Sequence, residues 1–237
     1  MSTTVNNKIP RPESLVIAFD ASNPASVPNM NDTTPATIYD CSGNGNHANV
    51  RSGELSYTVR DGVRCWDNSG GTTPDGYTIT SNADLTTAQF CMAFWMNPDA
   101  QDAGWERFLA QGSNTFELAM ANDDTDFGQV RIYDGGWRST AVILYVGEWN
   151  FLVLNWYNGA GNKLEVISNS AGYNTYSNSN ARTRSGNIYF CGDDGTEHYD
   201  GGISQFYMWN TILTEAEITD LFLTTNIRYK LTAGWGT

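Results

Sequence analysis

The chain has 237 residues, of which 40% are hydrophobic, 13% aromatic and only 16% charged, and its formal net charge at pH 7 is −13. A chain of this length buries roughly 70% of its unfolded surface, so it needs neither a metal nor a disulfide to hold one core. The acidic excess argues against binding to nucleic acid or to an anionic membrane, because both surfaces would repel it. No apolar run approaches roughly 18 residues, and residues 1–14 show no apolar stretch with a cleavage pattern, so we expect neither a membrane helix nor a secretory signal.

Short apolar runs separated by Gly, Asn, Ser and Thr predict many short β-strands joined by tight turns. Leu15–Phe19 is the first run, and a turn-rich stretch follows it at 21–35. Gly76–Thr80 alternates like a half-buried strand, whereas Phe90–Met96 is apolar on both sides, as an inner strand of a sandwich would be. Further strands are predicted at 108–111, 115–120, 129–133, 149–157, 163–168, 187–191 and 203–209.

Turn residues and a helix signal organise these strands. Gly-rich and Asn-rich segments at 112–114, 134–136 and 158–162 predict hairpins. Thr214 and Glu217 form a capping box, which predicts the start of a helix. The elements therefore predict an all-β domain at 15–225 with one short C-terminal helix, between an N-terminal tail at 1–14 and a C-terminal tail at 226–237.

Five motifs, met in this order, resemble the laminin-G-like jelly-roll domains of the concanavalin A-like superfamily. They are Phe19–Ser26, Asp40–His47 (D-x-S-G-N-G-N-H), Phe90–Pro98 (an aromatic strand ending in W-x-x-P), Val146–Asn150 (G-x-W) and Gly201–Ile218 (a strand followed by L-T-x-x-E-I). The resemblance implies a two-sheet antiparallel jelly-roll sandwich. Because this fold carries lectins, adhesins, glycosidases and structural modules, function must be argued from a site.

Catalytic groups are not evident. Glycosidases need two carboxylates about 5–5.5 Å apart when they retain configuration, and neighbouring same-face acids on a strand would read E-x-D. That pattern is absent, and Glu117, Glu148 and Glu165 are isolated on their strands. We therefore expect no catalytic residue and no enzyme, with acids from separate strands as the alternative.

The histidines and cysteines have structural explanations. His47 lies in the Gly/Asn turn, where a structural hydrogen bond accounts for it, and His198 is expected at the surface. The cysteines are too widely spaced for a metal-ligand motif and predict buried thiols, with one or two disulfides as the alternative: Cys41, Cys65, Cys91 and Cys191.

Two acidic loops are candidates for calcium, which takes about six to eight oxygen ligands. The segment at 193–200 is the better candidate because its glycines let the backbone curl around an ion. Its predicted ligands are Asp193, Asp194, Glu197 and Asp200. The alternative is a solvated acidic loop.

Aromatic side chains beside Gly-rich loops are candidates for sugar binding. Trp137 follows a Gly-Gly turn and precedes Arg138, which predicts a stacking platform beside a hydrogen-bonding arm. The predicted ligand-binding set is Trp105, Tyr133, Trp137, Arg138 and Tyr199. The alternative is that these rings close the edge of the core.

A non-enzymatic virion surface protein is the leading functional hypothesis. Similar single domains occur in bacteriophage structural proteins, and the two ends of this acidic chain are basic, with Lys8 and Arg11 at one end and Arg228 and Lys230 at the other. We expect these tails to dock on capsid or other virion proteins while the sandwich faces outward, available to cell-surface glycans. The alternative is a free carbohydrate-binding lectin or adhesin, and a glycoside hydrolase is the third hypothesis.

Overall fold

The computed structural model describes residues 9–52, 55–68, 76–99, 106–112, 116–121, 128–157, 163–168, 172–177, 184–192 and 198–229. In chain order its strands are β1 (Leu15–Asp20), β2 (Thr37–Ile38), β3 (Ala48–Ser52), β4 (Ser56–Arg60), β5 (Val63–Asp67), β6 (Gly76–Ile79), β7 (Phe90–Pro98), β8 (Glu106–Gln111), β9 (Phe116–Met120), β10 (Gln129–Tyr133), β11 (Trp137–Ile143), β12 (Asn150–Trp156), β13 (Lys163–Ser168), β14 (Gly172–Ser177), β15 (Ile188–Phe190) and β16 (Gly201–Trp209). An α-helix, α1, spans Glu215–Thr225, and short 3₁₀ turns lie at Pro12–Ser14, Ala83–Thr86 and Asn226–Arg228.

The strands form two antiparallel sheets. Sheet A has the order β14-β13-β12-β7-β16-β5-β4, and β1 pairs with the second half of β16. Sheet B has the order β11-β10-β9-β8-β15-β6-β3-β2. The predicted two-sheet antiparallel sandwich is confirmed, and so are the hairpins β8–β9, β10–β11 and β12–β13.

Sheet A is covered on both faces, which explains why β7, β12 and β16 are buried along their whole length. On the inner face, Phe94 stacks on Phe206 with ring centroids 4.8 Å apart, inside the core shared with sheet B. On the outer face, Trp95 packs against Phe222 of α1 with centroids 5.7 Å apart. The molecule is therefore layered, with sheet B, sheet A and α1 in succession.

The helix begins where the capping box predicts. Thr214 Oγ1 accepts a hydrogen bond from Glu217 N, and Glu217 Oε2 accepts one from Thr214 N at 2.7 Å. The apolar side of α1, with Ile218 and Phe222, is buried against sheet A. In the described residues no helix is both long and apolar enough to cross a membrane.

Both ends of the described chain pack on the outer face of sheet A. Ile9 is buried, and Pro10 O accepts a hydrogen bond from Trp209 Nε1 at 2.8 Å. At the other end Tyr229 stacks on Trp95, with centroids 3.9 Å apart and planes 11° apart. Residues 9–14 and 226–229, which the sequence assigned to tails, thus continue the packed structure.

The Gly/Asn turn at 40–47 binds the open edge of β1. Asp40 accepts hydrogen bonds from Ala18 N and Ser42 N, both at 2.9 Å, and from Asn46 N at 3.0 Å. His47 Nδ1 accepts one from Asp40 N at 3.0 Å, which confirms its predicted structural role. These contacts satisfy backbone groups of an edge strand that would otherwise invite pairing with another chain.

All four cysteines are buried thiols outside any disulfide, as the first of the two sequence alternatives predicted.

Candidate functional site

Tyr133 and Trp137 lie together on the outer face of sheet B. They are direct partners across the β10–β11 hairpin, their ring centroids are 5.4 Å apart, and both are partly exposed. The Arg107 guanidinium lies over the Trp137 ring at 5.7 Å from its centroid. The structure therefore brings two of the predicted ligand-binding residues into one aromatic surface.

Arg138 does not extend that surface. Its position pairs with Ile132, a core residue, so its Cβ points to the opposite side of β11 from Trp137. Its Nε donates to both carboxylate oxygens of Asp134 at 2.9 Å, and Asp134 is buried. Arg138 thus closes the turn of the hairpin.

The register of sheet B aligns eight residues in a line that crosses every strand. Each residue is the direct partner of the next, from the β11 edge to the β2 edge: Trp137, Tyr133, Glu117, Ala110, Tyr189, Thr78, Asn49 and Thr37. We call this line the transverse row. Neighbouring positions on the same strands, such as Leu118, Ile132 and Ile188, lie in the core, so the row faces outward.

The transverse row combines aromatic faces with polar side chains. Tyr189 is partly exposed, and the Arg51 guanidinium lies 5.4 Å from its ring centroid. Glu117 is only 3% exposed, and its Oε2 lies 3.1 Å from Arg107 Nε in an ion pair. At the far end Thr37 Oγ1 donates to Asn49 Oδ1 at 3.0 Å. Since neighbouring strands are about 4.8 Å apart, the seven intervals make the row about 34 Å long. Its middle is covered, because Ala110 is only 1% exposed.

The row opens into a shallow depression beyond Thr37. Its volume is about 250 Å³, and its walls include Pro28, Pro35 and Tyr39. Tyr39 is 41% exposed and contacts the His47 ring, with centroids 5.2 Å apart. A polymer lying along the row would place its end against this aromatic and proline surface.

Tyr199 is a correction to the sequence prediction. Its ring is fully buried and packs edge-on against Phe108, with centroids 6.1 Å apart. Burial and the nearby Glu106 raise the pKa of its hydroxyl well above the usual value. The prediction was wrong because the side chain of a Tyr beside a Gly-rich loop can pack into the end of the hydrophobic core as readily as it can face solvent. Trp105, also predicted for ligand binding, lies outside the described residues.

The calcium prediction falls mostly on residues that the structure does not describe, namely Asp193, Asp194 and Glu197. Asp200 is described, and its carbonyl accepts a hydrogen bond from Asp99 N at 3.0 Å. Beside it Arg60 binds Asp99 (2.6 Å) and Asp67 (3.0 Å), so these two carboxylates already have a cation. Within the described ranges no three His, Cys, Asp or Glu side chains are grouped to hold a metal, and calcium stays a prediction.

Sequence reasoning found one end of the row and missed the rest. Tyr133 and Trp137 belong to one hairpin, whose turn sets their register locally. Tyr189 reaches the row through the pairing of β15 with β8 and β6, which are far away along the chain. A weak signal existed in the alternation of 187–191, but it does not reveal the partner strand.

Solved structures with this fold include carbohydrate-binding proteins. Domain 4 of AbnA, a GH43 extracellular arabinanase from Geobacillus stearothermophilus in complex with arabinotriose, matches with a TM-score of 0.64 and 15% identity over 88% of this chain and 98% of that one. The binding domain of botulinum neurotoxin DC in complex with SialylT matches with a TM-score of 0.62 and 14% identity over 90% of this chain and 51% of that one. Trypanosoma rangeli sialidase matches with a TM-score of 0.61 and 13% identity over 94% of this chain but only 34% of its own length.

These identities establish a shared fold and no shared activity. No curated protein sequence is significantly similar to the chain. A laminin-G-type sequence-family model, described as the concanavalin A-like lectin/glucanase superfamily, matches residues 69–219 of the chain. These residues include the β10–β11 hairpin and most strands of both sheets. The chain therefore belongs to the concanavalin A-like lectin/glucanase superfamily.

Proposed function

We propose that this protein is a non-catalytic carbohydrate-binding module whose transverse row holds a linear glycan. The observation that carries the proposal is the alignment of Trp137, Tyr133 and Tyr189 with polar side chains in one outward-facing line. A sugar ring presents an apolar C–H face to an aromatic ring and hydroxyl groups to polar neighbours. A line about 34 Å long suits an extended polymer better than a single sugar.

The charged residue of the row, Glu117, is only 3% exposed and is held in an ion pair. Arg107 holds the Glu117 carboxylate at 3.1 Å, which fixes both groups before a ligand arrives. Glu117 is the one carboxylate among the eight residues of the row, and glycoside hydrolysis needs two opposed carboxyl groups. The row therefore supports recognition of a glycan without cleavage.

Alanine variants test the site. We expect Trp137→Ala and Tyr189→Ala each to weaken oligosaccharide binding at least tenfold in isothermal titration against neutral and acidic oligosaccharides of increasing length. Tyr145→Ala is the matched control, because Tyr145 is 52% exposed and lies outside the row. Affinity in the native protein should rise with oligosaccharide length until the row is filled.

Two results would contradict the proposal. If Trp137→Ala and Tyr145→Ala both fold and lose oligosaccharide affinity equally, the transverse row is not the binding site. Release of new reducing ends from a bound polysaccharide would overturn the non-catalytic assignment.

The setting we propose for this module is the surface of a virion, as its resemblance to bacteriophage structural domains implies. Docking through the basic ends would use Lys8 and Lys230, because Arg11 is paired with Glu217 and Arg228 with Asp20, each at 2.6 Å. Mass spectrometry of purified particles tests this setting. Particles whose genome encodes the chain but which lack the protein would refute it.

A further inference from the structure

Arg184 is a buried cation without a carboxylate partner. It is only 3% exposed. Its Nη1 donates to Gln111 Oε1 at 3.0 Å and its Nη2 donates to Thr87 O at 3.2 Å, and both acceptors are neutral. Among the described residues no group accepts a hydrogen bond from its Nε, and no acidic side chain offsets its charge. Burying a guanidinium in this way opposes folding, because water would solvate the charge and satisfy every donor.

The guanidinium fills a flat slot at one end of the sandwich core. Its central carbon lies 3.5 Å from the centroid of the Phe90 ring, so the guanidinium covers the face of that ring. Phe90 also contacts Phe116 and Trp156, with ring centroids 5.4 and 5.9 Å apart. These three rings are almost fully buried. The Arg184 slot, formed by Phe90, Thr87 and Gln111, thus offers a planar group one aromatic face and two carbonyl oxygens.

The segment that carries Arg184 lies at the surface. We call residues 184–187 the strap; Ser185 and Gly186 are exposed, and Arg184 is its one buried residue. The far end is held by Asn187, whose carbonyl accepts a hydrogen bond from Gly112 N at 2.9 Å. Opening the strap returns the guanidinium to water while the strands of both sheets stay paired. We therefore expect the strap to open at a lower free energy than the domain unfolds.

The chemistry of the slot defines what it can hold once Arg184 has left. An uncharged ring stacks on Phe90 without the unfavourable burial of a charge. Gln111 Oε1 and Thr87 O both lose the donor that Arg184 supplied, and leaving such buried acceptors without a replacement is unfavourable. An indole N–H or a phenol O–H at the edge of the ring would replace that donor.

We propose that the strap is a lid over a concealed binding site for a small, uncharged aromatic molecule that carries a hydrogen-bond donor, such as an indole or a phenol. Arg184 occupies the site while the lid is closed, so a ligand has to displace it. The apparent affinity is then reduced by the fraction of molecules in which the strap is open. The inference does not rest on the transverse row, because Phe90, Thr87 and Gln111 lie outside it.

The Arg184 Nε–H reports on the lid in the native protein. It is buried and has no acceptor in the described structure, so it exchanges with deuterium when the strap opens. We expect its NMR signal, identified by its loss in Arg184→Lys, to give an opening constant at least a hundredfold larger than that of the β7 amides, independent of low urea. Indole at millimolar concentration should accelerate this exchange. An opening constant equal to that of β7, with the full urea dependence of unfolding, would overturn the proposal.

A variant with an empty slot tests the ligand. Arg184→Ala removes the competing guanidinium, and we expect it to bind one indole at least tenfold more tightly than the native protein does in isothermal titration. N-methylindole, which lacks the donor, should bind more weakly than indole. Arg228→Ala is the matched control, because that arginine side chain is 41% exposed, and it should bind indole no more tightly than the native protein.

Two results of the titration would contradict the proposal. One is the absence of indole binding by folded Arg184→Ala. The other is tighter binding of methylguanidinium than of indole, which would show that the slot selects a cation. If Arg184→Ala does not fold, the exchange of the Arg184 Nε–H with and without indole decides the question in the native protein.

Discussion

Asp40 illustrates how much of this fold depends on single polar residues in turns. Its carboxylate bonds to the backbone of both β1 and the Gly/Asn turn, and Ser42 Oγ adds a further contact at 2.7 Å. The Asp40 side chain is 9% exposed, so water can replace few of these hydrogen bonds if the carboxylate is removed.

We expect Asp40→Ala to lower the free energy of unfolding by about 3 kcal/mol, because several buried donors lose a charged acceptor. Urea denaturation is the measurement. Asp84→Ala, at an exposed position, should change stability by less than about 0.5 kcal/mol. Similar values for the two variants would show that the turn does not hold β1.

Local residue patterns predicted the Gly/Asn turn, but they did not predict contacts between residues that are distant along the chain. The D-x-S-G-N-G-N-H turn is a local motif, and both His47 and the turn itself behave as expected. Tyr199 was misplaced because its burial depends on Phe108, which is distant along the chain. Glu117 was noted only as an isolated acid, since its partner Arg107 lies on another strand.

At the scale of elements, local sequence patterns correctly predicted α1 and the hairpins, but they did not predict the polar strands or the strands at the sheet edges. The capping box and the Gly-rich turns specify structure within a few residues. β14, with the sequence Gly-Tyr-Asn-Thr-Tyr-Ser, lacks a strong apolar pattern and forms by pairing with β13 at the edge of sheet A. β4 and β5 escaped prediction as well, and they join sheet A beyond β16.

The helix cap gives an element-scale prediction. Thr214→Ala removes the side chain that accepts a hydrogen bond from Glu217 N, and we expect it to cost about 1 kcal/mol of stability. Thr219→Ala, within α1, is the matched control and should be neutral or slightly stabilising because Ala favours helix. The midpoint of chemical unfolding reports both changes, and an unchanged midpoint for Thr214→Ala would show that packing alone sets the start of α1.

At the scale of the whole molecule, burial of many thiols and phenols makes stability sensitive to high pH. Burial, reinforced by the negative charge of Asp67, raises the pKa of Cys65 to about 12. Burial likewise raises the pKa values of Cys191, Tyr199 and Tyr229 well above their usual values. These groups stay protonated in the folded protein and ionise first in the unfolded chain, so stability is retained below about pH 9 and falls as the pH rises.

We therefore expect the free energy of unfolding to fall between about pH 9 and pH 12, with Cys65 alone contributing about 1.4 kcal/mol per pH unit. Urea denaturation at a series of pH values measures the slope. Cys65→Ala should lower stability below about pH 9, where the thiol is protonated in both states, and should flatten the slope above that pH by the same amount. A slope unaffected by the substitution would mean that the thiol ionises as easily in the folded protein as in the unfolded chain.

The packing of Ile9 and Tyr229 on the same side of the molecule has a practical consequence. A bead or sensor chip that holds the protein through a tag near either of these residues would leave sheet B pointing into solution. The cavity beside Arg228 would instead face the support, so immobilised assays would report on sheet B and leave the outer face of sheet A hidden. Measurements with the protein free in solution avoid that bias.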